Sequence, residues 1–371
     1  MKNKIIILLE DLVNIESFVD SRCNEIKLSQ FISDWFLTNI PTLEKYEIEV
    51  EGDRKNMLFI SPETKILFCC HMDTVLLSKG QATGLTISQD KLFGLGSKDM
   101  KGGMAAALLA VSSLDAEDIS KAGFLFYCDE EYSQKGMETM MNNFADIPKN
   151  LLCLISPESS FKISFGCKGY ISFDVEVEGE SAHSARPLLG IHAGEKLFAL
   201  YEEMKKEFTF SNELGVETLT MVGSEIGTMI NGVVLPMYNK VPDFALGNFS
   251  LRIPYKYSTK DFEDKIYSLA EKNNIKIKSM IVKIIRHPGS VKDVAIIDKF
   301  IILAKEVGFL IEKNNPNLSG YNDVAMLSSI IDVPFFNFGP YGEHNHTKNE
   351  YVSLSSIEDT IEIFSNFIKK I

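Results

Sequence analysis

Apolar residues in this chain gather into short runs that stop abruptly at charged ones. Ile66-Leu67-Phe68-Cys69-Cys70 is followed by His71-Met72-Asp73-Thr74-Val75. Phe124-Leu125-Phe126-Tyr127-Cys128 stops at Asp129-Glu130-Glu131, and Leu151-Leu152-Cys153-Leu154-Ile155 leads through Ser156-Pro157 to Glu158. A further run, Pro334-Phe335-Phe336-Asn337-Phe338-Gly339-Pro340, opens into a loop with His344, His346, Asn349 and Glu350. Runs of this length bounded by polar residues predict buried strands. Open α/β sheets place their ligands beyond the carboxyl ends of such strands. Between the first two runs lies Gly94-Leu95-Gly96-Ser97-Lys98-Asp99-Met100-Lys101-Gly102-Gly103, then residues 104–111, whose Ala and Leu content predicts a helix.

The middle of the chain changes period. Ile171, Phe173, Val175 and Val177 alternate with Ser172, Asp174, Glu176 and Glu178, the signature of a half-exposed strand in an antiparallel sheet. Residues 179–187 form a loop with His183, and residues 192–208 predict an amphipathic helix. Strand-like runs recur at 218–222, 249–253 and 276–285, with a helix around 261–271. The order β-α-β-β-α-β predicts a ferredoxin-like module. It interrupts the chain between Glu158 and His346, so the outer domain is discontinuous: residues 1–167 and 287–371, with 168–286 inserted. At the start, Leu8, Leu9, Leu12 and Val13 fit a helix face, and Glu10 and Asp11 cut the apolar run below the length of a signal-peptide core.

Each strand end has a plain reading beside a chemical one. His71 and Asp73, two apart on an extended chain, share a face. They form a surface pair, or a metal-binding ring held by a carboxylate. Asp99, at a loop-to-helix junction, is an N-cap or a ligand. Asp129-Glu130-Glu131 is a solvated turn or surrounds a cation. Taken in order, His, Asp, Glu-Glu, Glu and His form the ligand set of a carboxylate-bridged dinuclear zinc site, with nitrogen and oxygen donors and no thiolate.

The words His71-Met-Asp-Thr-Val, Gly96-Ser-Lys-Asp99-Met-Lys-Gly, Asp129-Glu130-Glu131 and His346-Thr-Lys-Asn-Glu350-Tyr-Val resemble the co-catalytic zinc amidohydrolases and exopeptidases. That family includes acetylornithine deacetylase, succinyl-diaminopimelate desuccinylase, aminoacylase and glutamate carboxypeptidase. The resemblance implies an α/β fold: a zinc-exopeptidase-like catalytic domain with a central mixed sheet between helices, plus an inserted ferredoxin-like α+β lid and dimerisation domain. It implies that Asp99 bridges two Zn2+ ions (Co2+ or Mn2+ as substitutes), that His71 and Glu158 complete one, and that Glu131 and His346 complete the other. His344 competes with His346 for the last position, and the family's word favours His346. Asp73 would orient His71, and Glu130 would be the general base for a metal-bridged hydroxide. On an extended chain Glu130 and Glu131 point to opposite sides, so both are not expected to be ligands.

In the insert, the resemblance implies that His183 stabilises the oxyanion and that Asn239 and Arg252 bind a substrate carboxylate. Arg suits the task because its fork donates two parallel hydrogen bonds; its plain reading is a surface ion pair. Asn231 rivals Asn239, and Ser250 stands where many family members carry an acid. Gly320-Tyr321-Asn322-Asp323 resembles the family's substrate-side loop, or is a plain turn. Glu158 points to the branch, because deacylases of the family tend to carry Glu there and carboxypeptidases and tripeptidases Asp. The expected substrate is therefore a small N-acyl amino acid, with short peptides as the alternative and a homodimer through the lid as the assembly.

Composition adds exclusions. The net charge of −13 argues against nucleic acid as a partner, and no apolar run approaches a membrane span. The cysteines at 23, 69, 70, 128, 153 and 167 show no paired spacing. They read as reduced thiols of a cytoplasmic protein.

Overall fold

Why the charged strand ends meet follows from the order in which the apolar runs pair. The structure, a computed structural model, describes all residues except 21–23, 82, 144–146, 159, 290–293, 316, 318 and 319. It divides into two units, Met1–Gly166 with Ser290–Asn315 and Asn322–Ile371, and Cys167–Gly289 with Pro316–Tyr321. Gly320 thus belongs to the second unit.

The first unit is built on a six-stranded mixed sheet. Its order is Glu44–Glu51, Arg54–Ile60, Ala122–Tyr127, Ile66–His71, Cys153–Ser156 and Phe335–Asn337. The first two strands run antiparallel, and Ala122–Tyr127, Ile66–His71, Cys153–Ser156 and Phe335–Asn337 are mutually parallel. Parallel strands covered on both faces must be apolar throughout, and every residue of Ile66–His71, Ala122–Tyr127 and Cys153–Ser156 is buried. Because these strands point the same way, the polar residues that end each run emerge at one edge of the sheet.

Helices Lys2–Asn14, Ile26–Asn39, Gly102–Ser112, Ala295–Glu306 and Leu354–Lys370 contribute to the core around this sheet. Gly102–Ser112 is buried on nearly every side, from Gly102 through Val111, as its Ala-rich sequence requires. Its second residue explains the paired glycines: a Cβ on Gly103 would stand 1.5 Å from the carbonyl oxygen of Pro157. Only glycine lets this helix reach the loop that carries Glu158.

The second unit has a five-stranded antiparallel sheet in the order Val233–Leu235, Thr218–Ile230, Phe244–Ile253, Gly169–Glu178 and Ile277–Arg286. Ile171, Phe173, Val175 and Val177 face a core shared with helices Ala193–Glu207 and Thr259–Lys272. The strand read at 218–222 continues to Ile230 and folds back through Asn231-Gly232, both at positive φ (51° and 81°). Asn-Gly is the favoured pair for such a two-residue hairpin turn. Among the described residues no helix is long and apolar enough to cross a membrane. Cys69, Cys70, Cys128, Cys153 and Cys167 are buried and in no disulfide, and Cys23 lies outside the described residues.

Gly103→Ala is expected to push the helix off Pro157, at a cost of about 1–3 kcal/mol or more. Thermal unfolding should show the lower stability, and an unchanged Tm would contradict the close approach.

Candidate metal centre

His71 ends its strand with a ring that is 3% exposed. Its Nε2 lies 3.2 Å from Asp99 Oδ1. Its Nδ1 lies 3.1 Å from the Asp73 carbonyl oxygen and 3.5 Å from the Asp73 carboxylate. That carboxylate has further partners. One oxygen accepts from the Glu130 amide at 3.1 Å and the other from the Glu131 amide at 2.9 Å. Asp73 therefore ties the histidine strand to the acidic turn.

The acidic turn differs from the extended chain expected for it. The strand ends at Tyr127, and Asp129 takes φ 71°. Glu130 and Glu131 consequently do not face opposite ways: each has a carboxylate oxygen within 4.8 Å of a His71 nitrogen. A buried ion triad holds the turn. Arg54 donates to Glu25 at 2.8 and 2.7 Å and to Asp129 at 2.8 Å, while Glu25 accepts the Asp129 amide at 3.0 Å. Burial raises the Glu25 carboxyl, with Arg54 pulling it back down. Asn56 spans the same turn, donating to the Gly136 carbonyl at 2.7 Å and accepting from the Cys128 amide at 3.1 Å.

Asp99 is not a helix cap. The helix starts at Gly102 with Lys101 in the cap position and no side-chain capping bond. Asp99 sits in the irregular turn Ser97–Lys101. Buried Glu350 organises that turn, accepting the amides of Gly96, Lys98 and Asp99 at 3.1, 3.0 and 3.1 Å. The second Asp99 oxygen lies 3.4 Å from His346 Nε2 and accepts from Asn345 at 3.1 Å. His346 Nε2 is also 2.9 Å from Glu131 Oε1. His344 points elsewhere, with Glu343 at 3.8 Å and the Tyr351 ring beside it. Glu158 Oε1 accepts from Asn322 at 2.8 Å and Asn337 at 3.1 Å. Sequence reasoning assigned no role to Glu25, Arg54, Asn56, Asn322, Asn337 or Glu350. Glu350, within the His346 word, and Asn322, within the Gly320 loop, carried signals that could have marked them.

Two three-donor groups result, His71 with Asp99 and Glu158, and Asp99 with Glu131 and His346. They share Asp99, one oxygen toward each histidine. A third grouping, His71 with Glu130 and Glu131, overlaps them. Donors at 2.0–2.1 Å from a tetrahedral zinc stand about 3.3 Å apart. The pairs here at 3.2, 3.4 and 2.9 Å fit that spacing. The electrostatics fit as well. With protein groups alone, burial and then the Asp99 charge push the Glu158 carboxyl up to about 7. Burial disfavours charge on Asp99 too, but His346 and His71 hold it well below the usual carboxylate range. The hydrogen bonds of Asp99 and Glu131 lift His346 to about 10. Crowded buried acids gain most from a cation between them.

In the second unit, His183 is exposed and its Nδ1 accepts the Ala185 amide at 3.1 Å. His183 bridges Lys240, and the Ser184 amide donates to the Asn239 carbonyl at 3.0 Å, so the two loops adjoin. Asn231 occupies the hairpin turn. The Arg252 guanidinium lies 5.2 Å over the Tyr170 ring, and Tyr321, next to Gly320, packs edge-on against that ring at 5.3 Å.

Residues 67–370 match the sequence profile of peptidase family M20/M25/M40. Acetylornithine deacetylase of Aliivibrio fischeri is 33% identical over 168 residues, 42% of this chain. The chain thus spans only 44% of the length of that relative. A probable succinyl-diaminopimelate desuccinylase of Staphylococcus epidermidis is 27% identical over 305 residues, 76% of this chain and 72% of the relative. The crystal structure of a tripeptidase from Staphylococcus aureus shares the fold, with a TM-score of 0.77 at 16% identity over 100% of this chain and 98% of its own.

Two measurements follow from the geometry. Elemental analysis of zinc-loaded protein should find about two ions per chain, about one after His346→Ala, and fewer than one after Asp99→Ala. Equal metal loss in both variants would contradict the sharing of Asp99. Arg54→Met leaves Glu25 and Asp129 buried without their cation and should destabilise the fold by about 3–5 kcal/mol in denaturant unfolding.

Proposed function

The chain belongs to peptidase family M20/M25/M40, and from that premise we propose that it hydrolyses the amide bond of an N-acyl amino acid with two zinc ions. Cobalt or manganese would serve as substitutes, since the same donors accept them. The observation that carries the proposal is one carboxylate, Asp99, common to two donor groups, with Glu130 beside them and belonging to neither.

His71, Asp99 and Glu158 would hold one ion, and Asp99, Glu131 and His346 the other. When bound, the pair supplies Lewis acidity, polarising the amide carbonyl and bringing the pKa of water toward neutrality. Glu130 handles the proton. Burial and then the charge of Asp323 push its carboxyl well above the usual range. A carboxylate so placed takes a proton from the attacking water and returns it to the departing nitrogen. Asp73, by holding both amides of the turn, keeps base and ligand in fixed register.

For the inserted unit we adopt the roles that the family resemblance implies. His183 stabilises the oxyanion, Asn239 and Arg252 take a substrate carboxylate, and the Gly320 loop lines the substrate. The unit also pairs with its copy in a homodimer. The buried thiols are consistent with a cytoplasmic setting. We favour a deacylase over an exopeptidase because Glu158 holds the position that separates the branches. The two sequence relatives named above, a deacetylase and a desuccinylase, point the same way.

The test is amine release from N-acetyl and N-succinyl amino acids and from short peptides. Acylated amino acids should be preferred. Glu130→Ala should keep both zinc ions and lose about 10²–10⁴ in kcat. Preference for peptides would move the protein to the exopeptidase branch. A Glu130→Ala variant about as active as the parent would remove the assigned base.

A further inference from the structure

Lys98 is the one cationic side chain adjacent in sequence to the shared carboxylate Asp99, and its placement is tightly determined. Its amide is fixed to Glu350 at 3.0 Å. Its stem runs against Gly342, where a Cβ would stand 2.6 Å from Lys98 Cγ. The Gly342 carbonyl in turn accepts the Ser160 hydroxyl at 3.1 Å, two residues beyond Glu158. The stem therefore lies along the Glu158 side of the centre. In agreement, the Lys98 charge bears on both Asp99 and Glu158. Among the described residues no carboxylate lies within ion-pair distance of its ammonium.

Lys98 is half-buried, and an ammonium with no ion-pair partner among the described residues gains when an anion joins it. An ammonium held beside the reacting centre, with no carboxylate among the described residues within ion-pair distance, is placed for an anion brought from outside. A flexible four-carbon stem ending in a compact charge suits a carboxylate.

We propose that Lys98 is a specificity-determining residue that receives a carboxylate of the substrate on the Glu158 side of the centre. The proposal rests on the amide-hydrolase reading. The carboxylate comes from one of two sources, the acyl group, as in an N-succinyl substrate, or the amino-acid portion.

Paired substrates distinguish them. An N-succinyl amino acid is compared with its neutral N-succinamoyl analogue, and an N-acetyl amino acid with its carboxamide, using zinc-loaded parent and Lys98→Met. The parent should favour the acid of one pair by about tenfold or more in kcat/KM, the scale of a charged hydrogen bond, and Lys98→Met should cut that ratio by about tenfold. The responding pair names the source. Calorimetry supplies a readout independent of turnover. Succinate and N-acetylglycine are titrated into the zinc-loaded Glu130→Ala protein with and without Lys98→Met, and one of them should lose about tenfold in affinity. Zinc content is measured on every variant. An equal fall for both members of each pair, or unchanged affinity for both probes, overturns the proposal. If the parent cleaves none of the amides, the hydrolase reading fails and calorimetry alone decides the fate of the lysine site.

Discussion

One carboxylate organises this molecule. Asp99 offers an oxygen to His71 at 3.2 Å and the other to His346 at 3.4 Å, and so joins residues from opposite ends of the chain. A carboxylate can do this only if its backbone is held independently of its side chain. Glu350 provides that hold through three amides around it. The other candidate ligands are held in the same way, by partners one step removed. Asn322 and Asn337 fix Glu158, and Asp73 fixes the turn of Glu130 and Glu131. Rigid support at one remove is what keeps first ligands at coordinating distance.

The sheet explains why these groups can meet at all. Ile66–His71, Ala122–Tyr127, Cys153–Ser156 and Phe335–Asn337 are parallel neighbours, so their carboxyl ends share an edge. Parallel strands must be apolar on both faces. The polar residues that close each run then mark the edge where chemistry can occur, and this is why the strand ends carrying His71, Glu131, Glu158 and the approach to His346 were legible from the sequence. The fold of the second unit was legible for a related reason: the alternation from Ile171 to Glu178 is the pattern of a sheet covered on one face.

What was not legible depends on contacts distant in sequence or on backbone turns without a period. The extended chain assumed for Glu130 and Glu131 gives way at Asp129, whose positive φ has no signature in an acidic triplet. Asn322 reads as part of a turn and Asn337 as part of an apolar strand, and their amides acquire meaning only once Glu158 lies against them. Arg54 and Glu25 sit in segments where the sequence offered no motif, yet they anchor the acidic turn through Asp129. Asn231, the rival of Asn239, sits with Gly232 in a hairpin turn that the Asn-Gly pair alone would suggest.

The central claim is that Asp99 is shared between two metal positions. Anomalous diffraction from crystals of the zinc-loaded protein tests it most directly. The account predicts two peaks, each about 2.0–2.2 Å from a different oxygen of Asp99, with His71 and Glu158 completing one and Glu131 and His346 the other. A single peak, or one held by His71, Glu130 and Glu131, would contradict it.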